Sequence, residues 1–580
     1  MLTYPPTSSF KTFRDPAIPT MLRKAAEGAE GILPPVAGLG TSEPIPPPQP
    51  RRTPAATLLS RCRRSGKLIP AAYVATIFRI AAAWSPPPEY ALFASENGHY
   101  FQTIDHKPFF WQADTAWFLF NRLTFEEADT YLKDRHSKGF NVVQAVGAHP
   151  DSITEPDRLG NPSWIDGDVM EHAWEEYGIR VALHPAWGKY VHNDAGVAGF
   201  FDTTAARLFG EFVGKRYPYV PKIIFGDTNP WWKNKTAMAR DYAYGGVRGT
   251  KLSGEYEVID FTDVLFAGGL RRNYKLNVYE AFAEGIVDGE KAAMGDEWGK
   301  PIDNGLVYQP MVSMHPTNQW FADGPLALSS SFFGNSSWLG LDTSQSGHSD
   351  YPPNAPIPWW SCRRVWEPAE LMYAVGETTS DKKRPAIENE PHYEGRWNNA
   401  KAHLSVWNAS DVRIGNWQTA FTGMAGLTYG SNSVWQMTSE LYPNAGGGPP
   451  IYWTEGIAQP GSDEVQWVKK AILDRGEETY FDRIPAQDII IGNPGISDAR
   501  IAATRDSKGS WLMVYSPNST ITIDTGSLTG CNVTASWLSP VSGEYTKFDY
   551  EPCTGTGVRR FELPVEDGHQ DWALVFDAHA

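Results

Sequence analysis

The stretch TFEEADTYLKDRHSKGFNVVQAVGAHP, residues 124–150, reads as one complete helix followed at once by one buried strand, and that pairing sets the fold. Thr124 is placed to cap the helix, Glu127 stands at the reciprocal capping-box position and Gly139 ends it. NVVQAV then runs apolar before giving way to polar groups, as a strand buried on both faces does. The same unit recurs outward from here. PFFWQADTAWFLF (108–120) precedes it, and YGIRVALHPAWG (177–188) and KIIFGDTNP (222–230) follow helical stretches at 169–176 and 203–215. Beyond them come LVYQPMVSMHPTN (306–318), SSWLGLDTSQSGH (336–348), RPAIENEPHYE (384–394) and GLTYGSNSVWQM (426–437). Eight strand-helix units predict an α/β fold, a (β/α)8 TIM barrel over 93–488, with reactive groups at the C-terminal strand ends. The Gly-rich, charged stretch 236–304 is too long for a βα connection and predicts an insertion at the rim.

After YFDRIPAQDIIIG (480–492) no helical period survives, and short alternating strands predict a small all-β sandwich over 489–580. Such a module either binds carbohydrate or shields the barrel by packing on it. Residues 1–92 contain EPIPPPQPRRTP (43–54) and predict a disordered, Pro-rich, low-complexity N-terminal extension. The basic-apolar-small order of a secretory signal occurs at 61–84, but it is internal and broken by Arg79. That run is also too charged to span a bilayer comfortably, so no membrane partner is expected. Four cysteines form no CxxC pair; Cys531 and Cys553 are spaced to suit a disulfide. Five Asn-x-Ser/Thr sequons, at Asn234, Asn335, Asn408, Asn518 and Asn532, fit a secreted, extracellular glycoprotein.

A net charge of −16 argues against nucleic acid, whose phosphates require clustered Lys and Arg. The 23 Trp and 25 Tyr serve either as core or as platforms that stack on sugar rings. Asp227, in IIFGDTN, and Glu390, in PAIENEP, each follow an apolar strand, the fourth and the seventh. Two carboxyl groups converging across a barrel mouth are the equipment of glycosidic bond hydrolysis, which needs one ionised and one protonated group. A separation of roughly 5–5.5 Å is what double displacement requires. Three glutamates crowd residues 388–394. Side chains alternate along a strand, so Glu388 and Glu390 share a face and Glu390 lies nearer the mouth; Glu394 falls in the loop beyond. The other tip residues are Asp114, Trp117, Gln144, His149, His184, Asn229, His315, Gln345, His348, Tyr393, Tyr429 and Trp435. Each serves equally as substrate contact or as buried hydrogen bonder; together they predict a polar pocket for an oligo- or polysaccharide.

The segment FFWQADTAWFLFNRLTFEEADTYLKDRHSKGFNVVQA resembles the first barrel segment of the apiosidase-like glycoside hydrolases. GDTN, MVSMHP, WLGLDTSQSGH, RPAIENEPHYE and GMAGLTYGSNSVWQ match in the same order, from about 96 to 440. The segment with WLSPVSGEY resembles the β-sandwich of collagen-binding type that members of this family carry. The resemblance implies a retaining (β/α)8 hydrolase; with no cofactor or metal motif in the sequence, hydrolysis without either is expected. It places the general acid/base on Asp227 and the nucleophile on Glu390. An apiosyl-like or other furanosyl side chain of plant cell-wall polysaccharide is the substrate it implies. Phe225 stands where the family commonly has a second glycine, Asn389 where glycine is usual, and the 236–304 stretch has no counterpart in a compact member.

Two other readings remain at this point. His149, His184, His315 and His348 with Asp227 suggest a metal-dependent barrel hydrolase, although no His-Glu-x-x-His run is present. A carbohydrate-binding protein without turnover is the second. No Gly-x-Ser-x-Gly elbow and no phosphate loop in context occurs, so serine esterase and nucleotide chemistry have no footing.

Overall fold

Thr124 caps the first long helix as its position predicts. Its hydroxyl accepts from the Glu127 amide at 3.3 Å, and the Glu127 carboxylate accepts from the Thr124 amide at 2.8 Å. The helix, α1 (Phe125–Ser137), turns through Gly139 at φ +74° and delivers the chain into a fully buried strand, Val142–Ala148. The structure is a computed structural model. It describes residues 84–148, 166–191, 201–226, 230, 275–302, 305–316, 328–348, 350, 362–378, 383–443, 446–551, 557–565 and 569–579.

Three short antiparallel strands, β1 (Phe93–Ala94), β2 (Phe101–Gln102) and β3 (Pro108–Phe109), precede the main sheet. Eight parallel strands follow: β4 (Trp111–Thr115), β5 (Val142–Ala148), β6 (Arg180–Ala186), β7 (Lys222–Ile224), β8 (Val312–Met314), β9 (Asp342–Ser344), β10 (Ala386–Glu388) and β11 (Gly426–Tyr429). Their order is β8-β7-β6-β5-β4-β11-β10-β9, and a parallel bridge between Val312 and Leu339 draws the two ends together. Each strand corresponds to one apolar run of the sequence. Helices α2 (Gly167–Tyr177), α3 (Thr203–Arg216), α4 (Leu276–Met294), α5 (Trp366–Thr378), α6 (Ala409–Phe421) and α7 (Gln466–Leu473) alternate with them. No described helix is long and apolar enough to cross a membrane.

Within the stretch read as an insertion, 275–302 is described and holds α4, which packs along α3. The two helices touch backbone to backbone. Gly210 and Gly214 of α3 face Gly285 and Gly289 of α4, and a methyl group at Gly214 would collide with the main-chain carbonyl of Ile286. Residues 231–274 lie outside the described residues, as do 1–83 and with them nearly all of the expected N-terminal extension. Residues 84–92, by contrast, belong to the folded body. Tyr90 and Leu92 are fully buried, and Arg180 donates to the carbonyls of Glu89 and Tyr90 at 2.9 Å. The boundary at 92 therefore corrects to a point before Trp84, because these residues cover the base of β6.

The C-terminal sheet is antiparallel, in the order β12-β13-β14-β19-β16-β17, with a separate pair β15-β18. The module that holds both comprises β12 (Arg483–Pro485), β13 (Ala502–Asp506), β14 (Trp511–Ser516), β15 (Ile521–Asp524), β16 (Val533–Leu538), β17 (Tyr545–Phe548), β18 (Val558–Phe561) and β19 (Trp572–Ala578). It begins at Arg483, earlier than the expected 489, because β12 pairs with β13. Cys531 is disulfide-bonded; Cys553, its expected mate, lies outside the described residues.

A buried ionic contact fixes this module to the barrel. Arg413 of α6 donates to both oxygens of Asp571 at 2.7 Å and to Glu464 at 2.5 Å, while Tyr515 donates to Asp571 at 2.8 Å. Beside it Trp417 of α6 stacks on Tyr515 with centroids 5.4 Å apart.

Backbone contact at α3–α4 leaves no room for even one carbon. Gly214→Ala is expected to lower unfolding free energy by about 1–3 kcal/mol, the usual cost of overpacking, read as an earlier denaturation midpoint. An unchanged midpoint would show that the helices separate freely.

Candidate active site

Beyond the formal strand ends the tips of β9 and β10 stay hydrogen-bonded, which brings two functional side chains together. Asn389 N donates to Ser344 O at 2.9 Å and Gly347 N to Glu390 O at 3.0 Å. His348 Nε2 then lies 2.8 Å from Glu390 Oε1. From the other side His315, one residue past β8 and held by its amide on Ile224 O, places Nε2 3.0 Å from Glu390 Oε2. Glu390 is 6% exposed. Burial pushes its pKa up, but the two imidazoles outweigh burial and hold the carboxyl well below the usual carboxylate range.

A carboxylate only accepts, so the His348 nitrogen that faces it carries the proton. Burial, and then the Arg396 charge, press His348 down to about 4, and at neutral pH its ring is uncharged. Gln144 of β5 orients the neighbouring ring. Its amide nitrogen donates to Asn389 O and to Thr428 Oγ1, both at 3.0 Å, which leaves its oxygen to accept from His184 Nε2 at 2.9 Å. Burial, reinforced by His315, holds His184 well below its ordinary value. The result is a carboxylate faced by two imidazoles, with the tautomers of His348 and the nearby His184 fixed by their partners.

Aromatic rings close the sides. Trp117 packs edge-on against His184 at 4.7 Å and Trp187 at 5.4 Å, and Trp187 lies 6.1 Å from His315. Trp187 sits over Gly226, where any Cβ would collide with its ring. Just before that glycine Phe225 holds φ at +49°, a region that non-glycine residues seldom enter and that clusters at functional sites. Tyr393 packs on His348 at 4.2 Å. Burial and the Glu390 charge drive its phenol well above the ordinary value, so it remains a neutral donor.

Glu388 lies deeper in the barrel, as strand alternation predicts. It accepts from the Ser344 hydroxyl and from Ser346 N at 2.7 Å, and burial nonetheless pushes it up to about 7. Glu394 is a buried residue in a parallel bridge to Ser431, accepting from Tyr429 at 2.6 Å and Gly461 N at 3.0 Å.

Two expected pocket residues face the other way. Asp114 pairs with Arg135 of α1 at 2.9 Å and accepts from Tyr131 at 2.7 Å, so it points to the helix layer. Tyr429, its neighbour across the sheet, faces the same layer. Trp435 packs near Phe118 at 6.2 Å, and Gln345 is buried just past β9. Asp227, Asn229 and His149 lie outside the described residues. Trp187 was missed by sequence reasoning, although it ends a quoted strand run as the other tip residues do. Among the described residues no three His, Cys, Asp or Glu side chains are grouped so as to hold a metal ion.

Residues 484–577 match the family described as "Putative collagen-binding domain of a collagenase". A solved structure titled "Glycoside hydrolase" aligns with a TM-score of 0.63 and 22% identity, covering 85% of this chain and 99% of its own. A glycoside hydrolase family 5 structure from Bacteroides vulgatus ATCC 8482 gives the same score and identity, covering 86% and 96%. At that identity the likeness establishes the shared fold. Comparison with curated proteins returns no match. Residues 95–477 match the family described as "Apiosidase-like, catalytic domain", and on that match the chain belongs to the apiosidase-like glycoside hydrolases.

Proposed function

We propose that this glycoside hydrolase works by retention, with Glu390 as nucleophile and Asp227 as general acid/base. The observation that carries the reading is the Glu390 carboxylate, buried at the C-terminal mouth and kept ionised by His315 and His348. In the first step a Glu390 oxygen bonds to the anomeric carbon while the glycosidic C–O bond breaks, and Asp227 gives its proton to the departing oxygen. In the second, Asp227 takes a proton from water, the water oxygen bonds to the anomeric carbon, and Glu390 leaves as a carboxylate. Trp187, partly exposed and backed by the buried Trp117, supplies an apolar wall against which a sugar ring can lie.

The substrate in this reading is an apiosyl-like or other furanosyl side chain of plant cell-wall polysaccharide, encountered outside the cell. Support for the location is physical. Cys531 is disulfide-bonded, and the described sequon asparagines, Asn335, Asn408, Asn518 and Asn532, are all exposed. The C-terminal module is assigned a packing role, since Arg413, Trp417 and Tyr515 tie it to α6. A binding protein without turnover would gain nothing from keeping a buried charge, which costs free energy unless fully paired.

Glu390→Gln and Asp227→Asn are each expected to cut turnover by about 10²–10⁴-fold or more while circular dichroism and melting stay native-like. The assay is sugar release from pectic and hemicellulosic polysaccharides, with proton NMR of the first anomer formed. An inverted first anomer, or near-normal rates in either variant, would remove the assignment.

Glu390 must be ionised to attack, so activity is lost as pH falls through its folded pKa, which the two imidazoles hold low. His348→Ala deletes one donor while burial remains, so the pKa rises and the acidic limb of kcat/KM moves to higher pH. His348→Gln restores an N–H and is expected to return part of that shift. An acidic limb unmoved in both variants would mean that His348 does not tune this carboxyl.

A further inference from the structure

The connection from β11 to α7 leaves the same end of the barrel that carries Glu390, and it folds into a second concavity. Trp453 N donates to Thr438 O at 2.8 Å and Ser439 N to Tyr442 O at 2.9 Å, which closes the loop on itself. Arg122, after β4, donates to Gln436 O at 2.6 Å and anchors its base. Between these ties lies a groove of about 300 Å³, the lower end of the range for small-ligand sites.

Pro443, Pro450 and the ring of Tyr452 form its apolar walls, and Tyr452 is 45% exposed. Ser439, Glu440 and Glu455 supply polar edges. Thr438 also lines the groove, is only 1% exposed, and its hydroxyl has no hydrogen-bond partner. A buried hydroxyl without a partner costs free energy that an incoming ligand hydroxyl would recover. An exposed aromatic face, two pyrrolidine rings and hydroxyl-accepting carboxylates at the edge match one ligand chemistry, the apolar face and hydroxyl rim of a sugar ring.

We propose that this groove is an outer saccharide subsite which holds a neutral sugar unit of the polysaccharide chain away from the bond being cleaved. The proposal rests on the hydrolase reading for its purpose but not for its chemistry. Glu440 and Glu455 select against uronic acids, because a third carboxylate between them meets like charge with no cation among the described lining residues to offset it. The groove therefore reads the neutral part of a branched chain and leaves the Glu390 cavity to read the scissile unit.

The test measures binding and turnover separately on the full chain. Calorimetric titration uses short neutral galacto- and arabino-oligosaccharides against oligogalacturonides, with wild-type protein, Tyr452→Ala and Thr438→Val. Neutral ligands are expected to bind wild type in preference to the uronides, with about tenfold weaker binding in Tyr452→Ala and a smaller loss in Thr438→Val. In turnover, Tyr452→Ala is expected to raise KM about tenfold on polysaccharide and to leave kcat and the cleavage of a small aryl glycoside unchanged. Equal binding by wild type and Tyr452→Ala, preference for the uronides, or no binding of neutral ligands overturns the subsite. Absence of all glycosidase activity with neutral binding intact overturns the hydrolase reading instead, so the two failures are distinguishable.

Discussion

A carboxylate taken out of water must be given its partners by the fold, and at Glu390 that demand organises the barrel mouth. One oxygen faces His348 beyond β9 and the other faces His315 beyond β8. Each imidazole is effective only in one tautomer and position, so the backbone around it is fixed in turn. His315 is tied to β7 through Ile224 O, and His348 is held at its carbonyl by the Trp407 indole at 3.0 Å. Four strand tips must therefore keep register to within a hydrogen bond for one charge to persist. Closure of the barrel supplies that register.

The same principle separates the three glutamates of residues 388–394. Glu390 faces two imidazoles and stays ionised. Two residues earlier, Glu388 has a serine hydroxyl and one backbone amide, and burial wins, pushing it up to about 7. Four residues later Glu394 accepts from Tyr429 and Gly461, and burial aided by Glu464 brings it to about 7 as well. Similar side chains in one short segment thus acquire opposite acid strength from the kind of their partners, not from their depth alone.

Much of this was legible in the sequence, and the failures have a common cause. Thr124 and Glu127 announced α1, and eight apolar runs with polar tips announced the barrel, because capping and strand burial are local. Alternation correctly put Glu388 below Glu390. It did not assign Asp114, since β4 is buried on both faces and a polar residue at its end is compatible with either; only Arg135 on α1 decides. Tyr429 follows Asp114 outward for the same reason. The α3–α4 contact was hidden because glycine, read as a sign of irregular chain, here serves close helix packing.

Asp114 and Tyr429, lost to the pocket, belong to a polar layer that explains why barrel and β-module form one body. Asp114 and Arg135 pair under Tyr429; Tyr429 donates to Glu394; the charge of Glu464 acts on Glu394 while Glu464 itself pairs with Arg413; and Arg413 grips Asp571 of the C-terminal sheet. Buried ionic groups add little net stability over well-packed apolar ones, but breaking a single link leaves an unpaired charge that costs several kcal/mol. Such a chain therefore acts through specificity of arrangement. Glu394 closes the loop that starts at Glu390, and its partners lie in the same layer as the residues holding the module. The geometry around Glu390 is thus braced from inside by imidazoles and from outside by the polar layer that grips the C-terminal domain.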